Sequence, residues 1–503
     1  MAEELPPQDL LIVGGGVNGA GIARDAAGRG LRVLLAERGD LGGATSSASS
    51  KLIHGGLRYL EHMAFRLVRE ALAVRDVLLR SAPHIVWPLE FVLPADPGGR
   101  PAWMLRLGLL LYDNLAWTHR GRGTSLPRSR AIDLRAAPYA GFLSGGIERG
   151  FSYSDCWVDD ARLVALCAVD AAARGATILT RTELVSAERV DGGWRARLRA
   201  EDGTSREVMA RALVNAAGPW AGEVLSGRIR ANASAALRLV KGSHVVVPRL
   251  HPGDHAFILQ NDDGRIVFVI PYERDFTLIG TTDTPFDGDP ARVAIDEGEV
   301  AYLCRAASRH AARPVRKEDV RWSYSGVRPL HDDGKESASA VSRDYVLELV
   351  GGPGASPLLS VFGGKITTFR RLAEHAMEKL APCLPGMRPA WTARATLPGG
   401  DLPGGDFDAF AQELERAHAG LPAGHVHAIA RRHGTRALAF LREGMGAESL
   451  GRHFGAGLYE AELDFLRREE WARSAQDVLW RRTKAGLHLD DDSRRLVAAW
   501  MGR

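Results

Sequence analysis

The 503 residues suffice for two or three domains around a sizeable core, and 45% hydrophobic with 25% charged residues is the balance of a soluble globular chain. With 65 basic against 61 acidic residues the net charge is +4, too small an excess to argue for nucleic acid but compatible with an anionic substrate or an acidic surface. The four cysteines, Cys156, Cys167, Cys304 and Cys383, show no C-x-x-C spacing and give no sign of a disulfide framework, an iron–sulfur centre or a zinc site, so no metal is expected.

The start, Met1-Ala2-Glu3-Glu4, lacks the basic region and apolar core of a secretory signal, and no apolar stretch approaches the roughly 20 residues that span a bilayer. A chain that is not integral to a membrane, in a reducing compartment, is expected. Leu10 to Val13 reads as a buried strand, followed by Gly14-Gly15-Gly16-Val17-Asn18-Gly19, a small-residue helix, a second strand from Arg32 to Leu35, and Glu37. This order suits the adenosine half of a dinucleotide. Gly14 permits the tight exit from the strand, Gly16 lets a pyrophosphate approach the backbone, and Gly19 lets the helix lie against the sheet. The helix N-terminus offers N–H groups to phosphate, while the Glu37 carboxylate would accept from ribose hydroxyls and repel a 2′-phosphate, favouring FAD or NAD over NADP.

Trp103 to Trp117 is mostly apolar, with Arg106 and Asp113 on one stripe and Trp at both ends. A helix lying in a membrane interface and a buried core helix both fit this pattern. Ala212 to Asn215, followed by Ala216-Ala217-Gly218-Pro219-Trp220, reads as another strand ending in a small-residue turn; Leu358 to Phe362, before Gly363-Gly364-Lys365, reads as a third. Three such strand ends far apart in sequence imply one nucleotide-binding domain assembled discontinuously. The runs Ser243 to Val247, Ala256 to Leu259, Arg265 to Ile270 and Phe276 to Gly280 predict an antiparallel sheet. After the breaker cluster Pro398 to Gly405, Phe407, Phe410 and Leu414 recur at helical spacing, and Ser474 with Asp477 forms a capping box.

The run Ala44-Thr45-Ser46-Ser47-Ala48-Ser49-Ser50-Lys51-Leu52-Ile53-His54-Gly55-Gly56-Leu57-Arg58-Tyr59-Leu60-Glu61 resembles the hallmark segment of FAD-dependent glycerol-3-phosphate dehydrogenases. So do Tyr153 to Leu163, Lys241 to His244, Ile279 to Asp283, Ser325 to Leu330, Ser342 to Tyr345, Gly363 to Lys365, and the tail around Trp471, Asp477, Trp480, Arg481 and Arg482. The resemblance covers nearly the whole chain and is to the aerobic, quinone-linked type.

It implies an α/β FAD-binding domain, Rossmann-like and of glutathione-reductase/D-amino-acid-oxidase type, with an antiparallel β-rich substrate domain and a C-terminal α-helical domain. The expected division is 8–80, 150–230 and 355–387 for the FAD domain, 81–149 and 231–354 for the substrate-binding cap, and 388–503 for the helical domain. The implied activity is oxidation of sn-glycerol 3-phosphate to dihydroxyacetone phosphate by hydride transfer to FAD, with electrons passed to membrane quinone. The implied place is the cytoplasmic face of the membrane, peripherally bound; a homodimer stays open. The alternatives are an oxygen-dependent glycerophosphate oxidase or a related amine or hydroxy-acid oxidase, and more remotely a flavin-containing tRNA-modifying protein.

A dianionic phosphate calls for forked cationic donors, and Arg58, Tyr59 and Arg343 match family positions near the substrate phosphate. His244 and Arg328 match positions beside the reacting carbon, where a neutral imidazole takes the alcohol proton and a guanidinium stabilises the developing alkoxide. Thr281 orients the substrate, and Lys365 sits close to the flavin ring. Thr45, Ser46 and Ser49 supply short hydroxyls to pyrophosphate or ring edges, or cap a helix; Ala217, Gly218 and Gly364 give close backbone approach.

Overall fold

Continuous apolar runs such as Gln8–Val13 and Leu358–Phe362 form strands buried along their whole length, as parallel sheets covered on both faces require. The computed structural model describes residues 3–57, 60, 63–96, 99–117, 126–231, 236–331, 344–442 and 444–503. Its first sheet runs Val346–Val350, Leu358–Phe362, Ser205–Asn215, Gln8–Val13, Val33–Ala36, Thr177–Leu179, parallel except at the Val346–Val350 edge. Helices Val17–Gly28, Asp160–Ala173 and Phe369–Leu380 cover one face, clustering Ala20, Ala23, Leu163, Leu166, Leu372 and Met377 with Leu10 and Ile12. The first helix lies so close that a Cβ on Gly19 would stand 1.9 Å from the Gly14 carbonyl oxygen. The antiparallel pair Thr182–Val190 and Gly193–Ala200 covers the other face, where Trp194 clusters with Leu11, Leu34 and Leu213.

The second sheet contains all four short β-rich runs expected between 243 and 280. Its order is Thr284–Pro285, Leu237–Pro248, Phe276–Gly280, Ile266–Tyr272, Ala256–Gln260, Val86–Pro94, Arg149–Val158, Leu52–Ile53, with Trp322–His331 also paired to Leu237–Pro248. Strand alternation divides its side chains between two cores. Val245 and Val247 cluster with Phe257, Ile279 and Leu303, whereas Val246 joins Phe91, Ile258, Ile270 and Leu109.

Three segments cross the expected division. Leu52–Ile53 and, from residue 150 on, Arg149–Val158, assigned by sequence to the FAD domain, pair with each other in the second sheet; Val346–Val350, assigned to the cap, is the edge of the first. The first two are placed by ladder partners far away in sequence, whereas Val346–Val350 joins the first sheet through the adjacent strand Leu358–Phe362; local composition encodes neither.

The tail packs helices Phe407–Ala417, Ala423–His433, Glu460–Glu469 and Asp491–Met501 around Phe407, Phe410, Leu414, Ile429, Leu463 and Trp500. Asp406 and Asp490 cap two of them by accepting from Ala409 N and Ser493 N. The capping box is formed: Ser474 N donates to Asp477 Oδ2 at 3.0 Å and Asp477 N to Ser474 Oγ at 3.3 Å.

Candidate active site

A cavity of about 1210 Å³ is bounded by the C-terminal ends of the parallel strands, by residues of the second sheet, and by Gln476, Trp480 and Arg481 of the tail. At the nucleotide end its wall includes Gly14, Gly16, Glu37, Arg38, Ala217 and Gly218. Gly14 has φ 109°, and a Cβ there would meet the Ala216 carbonyl oxygen at 2.5 Å, so the turn requires glycine. Gly19 does not border the cavity and acts behind it, through helix packing. Both Glu37 oxygens already accept backbone N–H groups, from Gly15 at 2.6 Å and Gly39 at 2.7 Å, and burial pushes its carboxyl above the usual value. Arg38 lies over the Trp220 ring at 3.9 Å.

The hydroxyl residues border the cavity but have protein partners. Thr45 Oγ1 donates to the Val327 carbonyl at 2.6 Å, Ser46 Oγ accepts from Val17 N at 2.9 Å at the helix N-terminus, and Ser49 Oγ donates to Asp160 at 2.8 Å. For Ser46 the helix-capping alternative is therefore realised.

At the other end, Arg328, Thr281, Gly364 and Lys365 share the wall. Arg328 crosses the face of Gly242, where a Cβ would stand 2.3 Å from Nη2; it donates to Thr281 Oγ1 at 2.8 Å and pairs with Asp283. His244 does not border the cavity and is 1% exposed. Its Nε2 lies 2.9 Å from Ser50 Oγ, which does border it, and its ring stacks on Tyr324 at 4.8 Å and 18°. Burial drives the imidazole well below its ordinary value, reinforced by the charges of Arg328 and Lys51, so it is neutral. Arg58, Tyr59 and Arg343 lie outside the described residues.

Residues 9–370 match the family described as FAD dependent oxidoreductase, and 390–501 match the C-terminal domain of alpha-glycerophosphate oxidase. The chain is 52% identical over 481 residues to the glycerol-3-phosphate dehydrogenase of Pseudomonas aeruginosa, covering 96% of this chain and 92% of that one. It is 51% identical over 493 residues to the D-erythritol 1-phosphate dehydrogenase of Brucella abortus, covering 98% and 97%. The fold resembles the glycerol-3-phosphate dehydrogenase of Bacillus halodurans complexed with FAD, with a TM-score of 0.74, 26% identity, and coverage of 99% and 90%.

The chain belongs to the FAD-dependent glycerol-3-phosphate dehydrogenase family. FAD is its cofactor, and the cavity fits that group: one volume joins a glycine-lined nucleotide end to a cationic end. A side chain at Gly218 would project into open space, as a surface left clear for a ligand requires.

Sequence reasoning missed Ser50, Asp283, Tyr324 and Trp480. Ser50 was one of four serines in a single run, with nothing local to separate it from Ser46 or Ser49. Asp283 closed a family segment yet had no visible partner until Arg328 arrived from another strand. Tyr324 depends on cross-strand register, directly opposite His244.

Proposed function

We propose that this enzyme oxidises sn-glycerol 3-phosphate to dihydroxyacetone phosphate and passes the electrons to membrane quinone. The observation that carries the proposal is the single cavity in which the dinucleotide cradle runs into Arg328, Thr281 and Lys365. FAD, when bound, accepts the hydride. Arg328, held in place by Thr281 and Asp283, stabilises negative charge developing on the substrate oxygen. Thr281 orients the substrate, His244 is the base, and Lys365 supplies positive charge beside the flavin ring. Arg58, Tyr59 and Arg343 hold the phosphate, on their match to family motif positions alone.

Among the described residues no helix is long and apolar enough to cross a membrane. We infer peripheral attachment through helix Ala102–Trp117. Trp103, Leu107 and Leu110 are 67%, 59% and 42% exposed, a clustering that favours an interface over a core helix. Arg106 and Asp113 are both bonded to Ser129, which leaves the apolar residues facing outward. Met104, Leu107 and Leu111 also line the cavity, an apolar approach suited to a quinone.

The test is anaerobic addition of sn-glycerol 3-phosphate to purified holoenzyme, with bleaching of the flavin absorbance expected. The identity to a D-erythritol 1-phosphate dehydrogenase favours one rival, so that tetritol phosphate is tested in parallel. Faster bleaching by the longer polyol would transfer the assignment to it. Stoichiometric peroxide with poor quinone reduction would make the protein an oxidase.

A further inference from the structure

The base proposed above is cut off from the substrate by one side chain. His244 is almost completely buried and absent from the cavity wall, while Ser50 is on that wall with its Oγ 2.9 Å from His244 Nε2. The ring is closely seated: it passes so near the bare Gly280 backbone that a Cβ there would stand 2.1 Å from His244 Cδ2, and Tyr324 stacks on one face.

Ser50 is held as firmly as the imidazole. On one side, Ser49 N and Oγ donate to the buried Asp160 at 3.2 and 2.8 Å; on the other, Lys51 Nζ reaches the same carboxylate at 2.8 Å. Tyr324 OH donates to the Ser49 carbonyl at 2.7 Å. Lys51 adopts φ 58°, a left-handed conformation costly for a side-chain-bearing residue and sustained only where the surroundings impose it. Three anchors and a strained neighbour fix one hydroxyl between the cavity and the histidine.

We propose that Ser50 is a catalytic residue that relays the alcohol proton of the substrate to His244. This rests on the assignment of His244 as base. As the carbon gives its hydrogen and the electron pair to the flavin, the C–O single bond becomes a carbonyl. The hydroxyl proton passes to Ser50 Oγ, and the serine proton passes to His244 Nε2. The alcohol's two electrons leave with its hydride, which bound FAD would accept, and the imidazole ends with the proton.

The charges that face His244 are Arg328 and Lys51, the latter paired with Asp160; Tyr324 is kept protonated by burial. The imidazole is therefore a weak base. A weak base suffices when proton transfer accompanies hydride departure, because the hydroxyl of a carbon losing hydride acquires the acidity of a protonated ketone.

The test is anaerobic stopped-flow reduction of the holoenzyme by sn-glycerol 3-phosphate with Ser50→Ala, Ser50→Thr, His244→Gln and the Ser50→Ala/His244→Gln double variant. General-base catalysis contributes about 100-fold or more, so Ser50→Ala and His244→Gln should each slow flavin reduction by about that factor, the double variant no further, and Ser50→Thr should recover most of the rate. In the resting holoenzyme, Ser50→Ala should also move the ring nitrogen NMR shift of His244 Nε2, a readout independent of turnover. A slow His244→Gln beside a Ser50→Ala of wild-type rate would overturn the relay and leave His244 as a direct base. Multiplicative losses in the double variant would also overturn it. A His244→Gln of wild-type rate would remove the base assignment itself.

Discussion

Arg482, in the helical tail, donates from two nitrogens to the two oxygens of Asp40 at 2.8 Å each, and the side chains are 0% and 2% exposed. Asp40 belongs to the loop that begins at Glu37, so the tail grips the segment bordering the nucleotide end of the cavity. Arg481 reaches the same carboxylate at 2.6 Å, and Arg482 also donates to the Glu470 carbonyl at 2.8 Å. The pair therefore joins two parts of the chain that share no strand.

Arg482→Met should be costly because it leaves the buried Asp40 carboxylate with only Arg481 to pair it. Removing one partner of a buried pair costs about 3–5 kcal/mol. Chemical denaturation should show a loss of that size, with FAD released at lower denaturant than in the wild type. An unchanged midpoint with full cofactor retention would contradict the role assigned to the pair.

The nucleotide end was legible in the sequence because its signals are local. Gly14, Gly16 and Gly19 follow one strand and open one helix, so spacing alone fixes their relationship. The substrate end was legible only as a set of residues. Arg328 and His244 come from different strands and Thr281 follows a third, so their contacts depend on the register of Leu237–Pro248 with Trp322–His331 and Phe276–Gly280. No pattern within a strand indicates that Ser50 lies on the cavity wall with His244 behind it. The sheet exchange at Arg149–Val158 was hidden for the same reason.

The tail carries a pH dependence of predictable sign. Burial pushes the His433 imidazole down to about 4 from 6.5, against the pull of Glu462, whose Oε1 lies 2.7 Å away. Between those values the unfolded chain binds a proton that the folded chain refuses, so stability falls as pH falls through this window, by about 3 kcal/mol for one such group. Burial opposes ionised Glu462, but Arg432 and His433 outweigh it and hold the carboxyl at about 2. That contribution is present above 4.5 and is lost as pH falls towards about 2. The thermal midpoint should drop steadily on acidification from neutrality, and His433→Gln should flatten the upper part of the decline. A wild-type midpoint constant down to pH 4 would refute the assignment.

Trp103→Glu with Leu110→Glu places two charges on the exposed apolar face of Ala102–Trp117 at little cost to folding, since both side chains are exposed and neither lines the cavity. Flotation with vesicles of anionic phospholipid should recover wild type in the lipid fraction and leave the double variant behind. Activity with a soluble short-chain quinone should persist in both. Equal flotation by a folded variant would take this helix out of the membrane contact.

Gly280→Ala tests the seating of the imidazole without removing it. The added methyl would stand 2.1 Å from His244 Cδ2 and 2.7 Å from Cγ, distances that force the ring, its strand or both to move. Because Gly280 pairs directly with His244 across the two strands, the ladder resists a backbone shift and the ring takes most of the displacement. Overpacking of this kind costs about 1–3 kcal/mol of stability. The larger effect should fall on catalysis: a displaced ring loses the 2.9 Å contact with Ser50, and flavin reduction should slow about 10- to 100-fold while KM changes far less. A KM rise with kcat preserved would instead place Gly280 in substrate binding, against the geometry that puts His244 behind Ser50.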